Sequence, residues 1–305
     1  MAQAHQDLLE RSQLAQLNQL QDGPGWIRLI SHLATIAIGG LFWRLEMLPL
    51  ALRLLGLLIT GVGLATCFAG LHECCHRTAF RGKRLNDAVA WLMGLLSFYN
   101  ATFYRRYHQW HHRYTHQPGL DPELDDPVPT SLIGYVLEIS GWNWWSGKLR
   151  GYARLLVGDL SSIPYLSAEI IPQVRRSLWL QFAVYGLLLL LSLISWNGFL
   201  LWSWLLPLAI GQPFLRLLLL AEHTGCAFNT DALANTRTTL TVAPVRWLMW
   251  NMPFHAEHHL YPSLPFHALP AAHRWIAPHL KHLDRGYLAV HAQLLQRLPQ
   301  LGQPA

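Results

Sequence analysis

Residues 50–76 read LALRLLGLLITGVGLATCFAGLHECCH. The apolar run from Leu50 to Leu71 has the ~20 residues that a helix needs to cross the hydrocarbon core of a bilayer. A histidine pair, His72 and His76, follows it directly. Three further apolar runs stand at about 27–43, 178–195 and 199–221. The first of these is short and leaves little room for tilt. Of the 305 residues, 52% are hydrophobic and 13% charged, where soluble domains carry about 25% charged residues. The composition argues against an ordinary soluble enzyme and predicts an all-α integral membrane protein with four transmembrane helices.

Two of the links between runs are very short, 44–49 and 196–198. Each pair of runs therefore reads as a hairpin, 26–71 and 178–221. Residues 72–177 hold 12 Lys or Arg, the tail after Ala221 holds six, and the two short links hold only Arg44. The positive-inside rule then puts the long segment and both termini in the cytosol. On this reading 1–305 is one domain: a surface segment (1–25), the first hairpin, a cytosolic segment (72–177), the second hairpin and a cytosolic tail (222–305).

That topology gathers the histidines on one side. Eight fall in three clusters, His72-x-x-x-His76, His108-x-x-His111-His112 and His255-x-x-His258-His259. Residues three and four apart share a helix face, so each cluster can aim its rings at one point. Histidine is the commonest metal ligand, and one tetrahedral zinc uses only four ligands. Eight therefore predict two metal ions in a cytosolic helical cap. Imidazole suits iron, zinc, copper and nickel alike. Two-metal hydrolases usually add bridging carboxylates, and the clusters contain only Glu73 and Glu257. The set fits a redox metal that activates oxygen, with lipid as the substrate at hand.

His72-Glu73-Cys74-Cys75-His76 also matches H-E-x-x-H, the zinc protease pattern. That reading leaves six clustered histidines unused and singles out no third ligand. Glu73 is then a candidate partner for a histidine N–H, or an ordinary solvated glutamate. A metal transporter would need acidic or histidine residues inside the spans, which hold almost none besides His32.

The remaining features are weaker. Residues 88–98 are too short to span and read as an interfacial or re-entrant helix. Trp142, Trp144 and Trp145 suggest a segment at the headgroup level. Leu9, Leu14, Leu17 and Leu20 line one face of a short N-terminal helix, ended by Gly23-Pro24-Gly25. No secretory signal pattern precedes it. The four cysteines form no C-x-x-C pair. His267, His273, His279, His282 and His291 lack cluster spacing and read as surface residues. Asp121, Glu123, Asp125 and Asp126 read as a solvated turn, with a role behind the ligands as the alternative. The net charge of +6 is what basic loops beside anionic lipid require, and no nucleic-acid motif appears.

The three boxes, their order and the 31 residues between the first two resemble the membrane fatty acid desaturase and hydroxylase superfamily. The likeness covers roughly 72–273. Residues 250–262 (WNMPFHAEHHLYP), 222–225 (EHTG) and 235–239 (NTRTT) are similar to its bacterial desaturase-like branch. The resemblance implies a di-iron centre, O2 as co-substrate, an acyl substrate in the membrane and two electrons from outside. It implies a further ligand, His223, between the last span and box three. The ligand set is then His72, His76, His108, His111, His112, His223, His255, His258 and His259. His116 could share the box-two face, but the family pattern does not require it. Either a lipid desaturase or a hydroxylase of an acyl chain or carotenoid would use this set. The chain carries no visible electron carrier, so a ferredoxin or small cytochrome is expected. The basic residues Arg81, Lys83, Arg84, Arg105 and Arg106 could steer it, although membrane orientation alone also explains them. The implied location is a bacterial inner membrane.

Overall fold

The computed structural model describes residues 8–125 and 128–301. Asp126 lies outside them. Its elements are α1 (Arg11–Leu17), α2 (Asp22–Arg44), α3 (Leu50–His76), α4 (Lys83–Ser97), α5 (Ala101–Tyr114), α6 (Leu132–Ile139), α7 (Trp142–Val157) and α8 (Ile171–Ile194). A π-helical turn over Leu201–Leu205 leads into α9 (Leu206–His223), followed by α10 (Ala232–Asn235), β1 (Thr238–Leu240), α11 (Ala243–Leu248), α12 (His255–Leu260), α13 (Leu269–Ile276), β2 (Leu283–Arg285) and α14 (Tyr287–Gln296).

Four helices are long and apolar enough to cross a membrane: Asp22–Arg44, Leu50–His76, Ile171–Ile194 and Leu201–His223. Each extends past the apolar run read from sequence, because a helix does not stop where hydrophobicity does. Two of the extensions carry histidines: α3 continues through His76, and α9 ends on His223. Gly23-Pro24-Gly25 does not end the N-terminal helix. It lies in the first turn of α2, where the N–H that proline lacks would have no helical partner anyway. Gly25 allows α2 to press on the next layer, since an added Cβ would stand 2.5 Å from the carbonyl oxygen of Ala79.

The two pairs of spans pack unequally, although α8 meets the start of the fourth span, with the Tyr185 and Trp204 ring centres 4.7 Å apart. α2 packs closely along α3, but α9 packs against α3, while α8 lies against α5 and α7. The α3–α9 approach explains this. A Cβ on Gly211 would fall 1.9 Å from the Gly61 carbonyl oxygen, and one on Gly61 would fall 2.3 Å from that of Pro207. Small residues permit such backbone contact between membrane helices. Gly211→Ala is expected to destabilise the fold by about 1–3 kcal/mol, the usual cost of overpacking. The check is the melting temperature in detergent, with Gly186→Ala, where nothing lies within 4 Å of an added Cβ, as the control that should not move.

The chain is mostly helical but not all-α, because β1 and β2 form a parallel two-stranded sheet pairing Thr238 with Leu283 and Leu240 with Arg285. Residues 88–97 belong to the amphipathic α4, with Phe98 its C-cap, and Val89, Ala90 and Met93 are buried in its packing on α3. The tryptophans divide: Trp142 is exposed, whereas Trp144 is buried and donates to the Tyr99 hydroxyl at 2.8 Å. Leu9, Leu14 and Leu17 pack with Leu233, Phe254 and Leu269, so the N-terminal helix covers the box-three region. His32, the polar residue inside the first span, is fully buried with Nε2 2.8 Å from the Gly63 carbonyl oxygen, tying α2 to α3.

Candidate metal centre

Boxes one, two and three lie on the last turns of α3, on α5 and on α12, and their rings meet. His72, His76, His108, His112 and His258 each offer a nitrogen within 4.8 Å of the others, and His111, His223 and His259 form a second such group. His255 adjoins the second group, with Nε2 3.1 Å from the Nε2 of both His223 and His259. The groups touch: the His112 and His259 ring centres are 4.1 Å apart. The structure therefore brings together all nine histidines named from sequence.

The hydrogen-bond inventory fits cations better than a core of paired histidines. His112 Nε2 faces His108 Nε2 at 3.0 Å and His258 Nε2 at 3.1 Å. A neutral imidazole has one donor and one acceptor, so three ring nitrogens meeting at one point cannot satisfy each other. Nε2 of His72 and His76, and Nδ1 of His108, His112, His255 and His258, are buried without a partner. Burial first, and neighbouring histidines second, hold His108, His112, His255, His258 and His259 well below the ordinary histidine value. The rings are thus held neutral, each with one bare nitrogen, as metal binding requires.

The second group is braced from behind. Asp121 Oδ1 lies 2.9 Å from His111 Nδ1, the Asn235 carbonyl oxygen 3.1 Å from His223 Nδ1, and the Thr115 hydroxyl 3.1 Å from His259 Nδ1. Such outer partners fix ring orientation and leave Nε2 for a metal. Burial opposes protonation of His111, but Glu123 and Asp121 outweigh it and hold His111 above its ordinary value. Residues 235–239 explain much of this local order. Arg237 pairs with Asp284 at 3.0 Å and donates to the Ala221 and Thr224 carbonyls at 2.5 and 2.9 Å, pinning the end of α9. Thr238 donates to Glu257 at 2.5 Å, pinning α12.

Several sequence readings need correction. Asp121 is not solvated: it is 2% exposed and accepts from the backbone N–H of His116 at 2.6 Å and of Glu123 at 3.0 Å. Among the described residues Glu73 makes no hydrogen bond or ion pair with a histidine. Its Oε1 accepts from the Thr78 hydroxyl at 2.6 Å and the Phe266 N–H at 3.0 Å, so it faces away from the place of a protease base. His291 is buried between the Tyr135 hydroxyl and the Leu217 carbonyl, and His273 bonds the fully buried Glu257. His116 stands outside both groups, stacked on Phe228 at 4.3 Å. Arg105 is occupied by Asp87 at 2.5 Å and by the Cys75 and Cys74 carbonyls at 3.2 and 3.4 Å. Cations favour helix C-termini for this reason.

Two carboxylates come close to the rings: Glu222, not singled out from sequence, and Glu123, read there as part of a solvated turn. Glu222 Oε2 lies 3.4 Å from His255 Nε2, and Glu123 Oε2 lies 3.7 Å from His111 Nε2. Adjacency to His223 was the available signal for Glu222.

A cavity of about 440 Å³ reaches the rings of His72, His108, His111, His223 and His255. Its walls include Phe68, Tyr104, Trp144, Leu155, Ile163 and Met252. Asp121, Glu123, Glu138, Lys148, Arg154, Arg216 and Glu222 line it as well, so apolar surface and orienting polar groups share one cavity, as in small-molecule sites.

The sequence model of the family described as Fatty acid desaturase matches residues 48–291. Among similar proteins is an sn-1 oleoyl-lipid 12-desaturase of Picosynechococcus, 30% identical over 49% of this chain and 43% of that protein, so the match spans less than half of that relative. Another protein of that description, from Synechocystis, is 23% identical over 81% of this chain and 74% of its own length. A sphingolipid delta(4)-desaturase/C4-monooxygenase of Rattus norvegicus is 27% identical over 82% of this chain and 71% of its own.

Proposed function

The chain belongs to the fatty acid desaturase family, and on that premise we propose that it is an oxygen-dependent di-iron desaturase of lipid acyl chains. The observation that carries this reading is the pair of adjoining imidazole groups bordering a cavity with both apolar and polar walls. His72, His76, His108, His112 and His258 would hold one iron, and His111, His223, His255 and His259 the other. Bound there, two irons would supply the means to remove two hydrogens from neighbouring carbons, with O2 and two external electrons and two protons ending as water.

The protein's own part is positional. The apolar part of the wall takes the chain out of water, and the rings border the cavity where a C–H bond would lie. Asp121, Asn235 and Thr115 keep three rings from turning. Buried surroundings keep the rings of His108, His112, His255, His258 and His259 neutral. The proposed sidedness is cytosolic for the centre and both termini. An external ferredoxin or small cytochrome would deliver electrons, with exposed Lys83 and Arg84 available to attract an acidic donor. Arg105 is already engaged and would not contribute.

Hydroxylation is the second reading, on a specific observation: the rat relative is described as both a desaturase and a monooxygenase. Both outcomes begin by removing hydrogen at the same site.

The test combines metal and product. Purified protein is expected to hold about two irons per chain, in keeping with two imidazole groups too large for one ion. Lipids from cells expressing it should gain species two mass units lighter, only with oxygen. Species sixteen units heavier would favour hydroxylation. One zinc per chain with no iron would sink both readings.

A further inference from the structure

Arg216 is a cation placed inside the cavity with little to hold it. It stands on α9 seven residues before His223, about 10 Å along the axis at the α-helical rise. It is only 9% exposed and lines the same cavity as the histidines. Its Nη2 donates to the Tyr99 hydroxyl at 3.0 Å, and the guanidinium carbon lies 5.5 Å from the Trp144 ring centre. Among the described residues no carboxylate pairs with it, and its Nε is buried without a partner. Glu222, on the same helix and lining the same cavity, lies close enough to feel the Arg216 charge, but its carboxylate is set against His255.

A guanidinium carries five N–H donors, and burying them unpaired is costly. An ionisable side chain inside a membrane helix usually marks a ligand's path. Tyr99 adds to the asymmetry. Its oxygen accepts from both Arg216 and Trp144, so its own hydrogen remains to be given. Lys148 places its ammonium 3.7 Å from the Tyr99 ring centre, and the carboxylates of Glu123, Glu138 and Glu222 line the same cavity. The fully buried Gln212 amide, one turn back, is also unpartnered. It does not border the cavity.

We propose that Arg216 and Tyr99 form a polar subsite that binds a carbonyl oxygen of the substrate, whether of an ester, an amide or a free carboxylate. Held there, the lipid presents to the histidines the carbon that lies one fixed span along its chain. The subsite deepens the proposed function and rests on it only for the identity of the reacting carbon. Arg216 and Tyr99 act here as positioning residues.

The binding test needs no turnover. Full-length protein in detergent is loaded with the fluorescent fatty acid cis-parinaric acid, which is displaced by palmitic acid, methyl palmitate or hexadecane. Palmitic acid, methyl palmitate or both should compete at concentrations about 10- to 100-fold lower than hexadecane, as expected for a hydrogen bond to a charged group. Preference for palmitic acid alone assigns a free carboxylate, and preference for both assigns the carbonyl in general. Arg216→Gln should bring the three competitors close to equality, and Arg216→Lys, with charge but no fork, should fall between. Hexadecane competing as well as both oxygenated probes against the unaltered protein would overturn the subsite without any variant. Arg216→Gln keeping the full preference would overturn it too.

The positioning test reads products in cells: Arg216→Gln should spread the double bond over neighbouring positions. A single unchanged position at full yield would refute the positioning role. If the unaltered protein binds with this preference but forms no product, the subsite stands and the proposed reaction fails.

Discussion

His258→Ala is expected to abolish product formation while the protein stays folded in the membrane. His258 is 1% exposed, and its ring centre lies 4.7 Å from that of His72 and 4.6 Å from that of His76. With His112 Nε2 3.1 Å from its own, it joins the box-one and box-two rings to box three. Truncation would remove one of five convergent nitrogens and leave the others around a vacancy. Changing even the outer partners of metal ligands costs about 10–100-fold in affinity or activity, so loss of a ligand should exceed that. Folding should survive, because α12 is fastened on its other side by Glu257 to Thr238 and His273. The measurement pairs lipid mass spectrometry with iron content and size-exclusion behaviour, using the exposed His279→Ala as a control with normal product. Wild-type yield from His258→Ala would remove His258 from the site.

The spacing of the boxes was legible because a helix face is a local property. Three and four residues from one histidine to the next suffice to align rings, and α3, α5 and α12 present them so. Which histidine joins which group was not legible, because helix crossing decides it. His111 and His112 are neighbours in sequence, yet they enter different groups, since successive residues on a helix point in directions about 100° apart. The four spans could be read from composition, but the partner of α9 could not. That choice rests on Gly61 and Gly211, whose missing side chains admit backbone contact. The sheet escaped notice because two strands of three residues are too short to show alternation. Asp121 was misread for another reason: an aspartate before proline resembles any solvated turn until tertiary folding brings it under His111. In box three, Glu257 stands between ligands in sequence but faces Thr238 and His273 in space, a helix-face inference that the H-A-E-H-H pattern itself permits.

Asp121→Asn is expected to weaken metal binding in the second histidine group by about 10–100-fold, the range for losing an outer partner of a ligand, and to leave the first group nearly unchanged. The asymmetry follows from the bracing. In the second group three histidines have Nδ1 engaged, His111 by a carboxylate. In the first, Nδ1 of His108, His112 and His258 has no partner. Asparagine preserves the shape of Asp121 but not its chemistry. The carboxylate takes donors on both oxygens, from His111 Nδ1 and Glu123 N on Oδ1 and from His116 N on Oδ2. An amide supplies one acceptor atom and one NH2, so one of these donors must meet another donor. His111 also loses part of the negative charge that holds its Nδ1 proton and leaves Nε2 to the metal. Challenging the purified protein with graded chelator should show one iron leaving the variant well before the other, at chelator concentrations where the unaltered protein keeps both. Chelation curves for the two proteins that superimpose would show that Asp121 does not support His111 as a ligand.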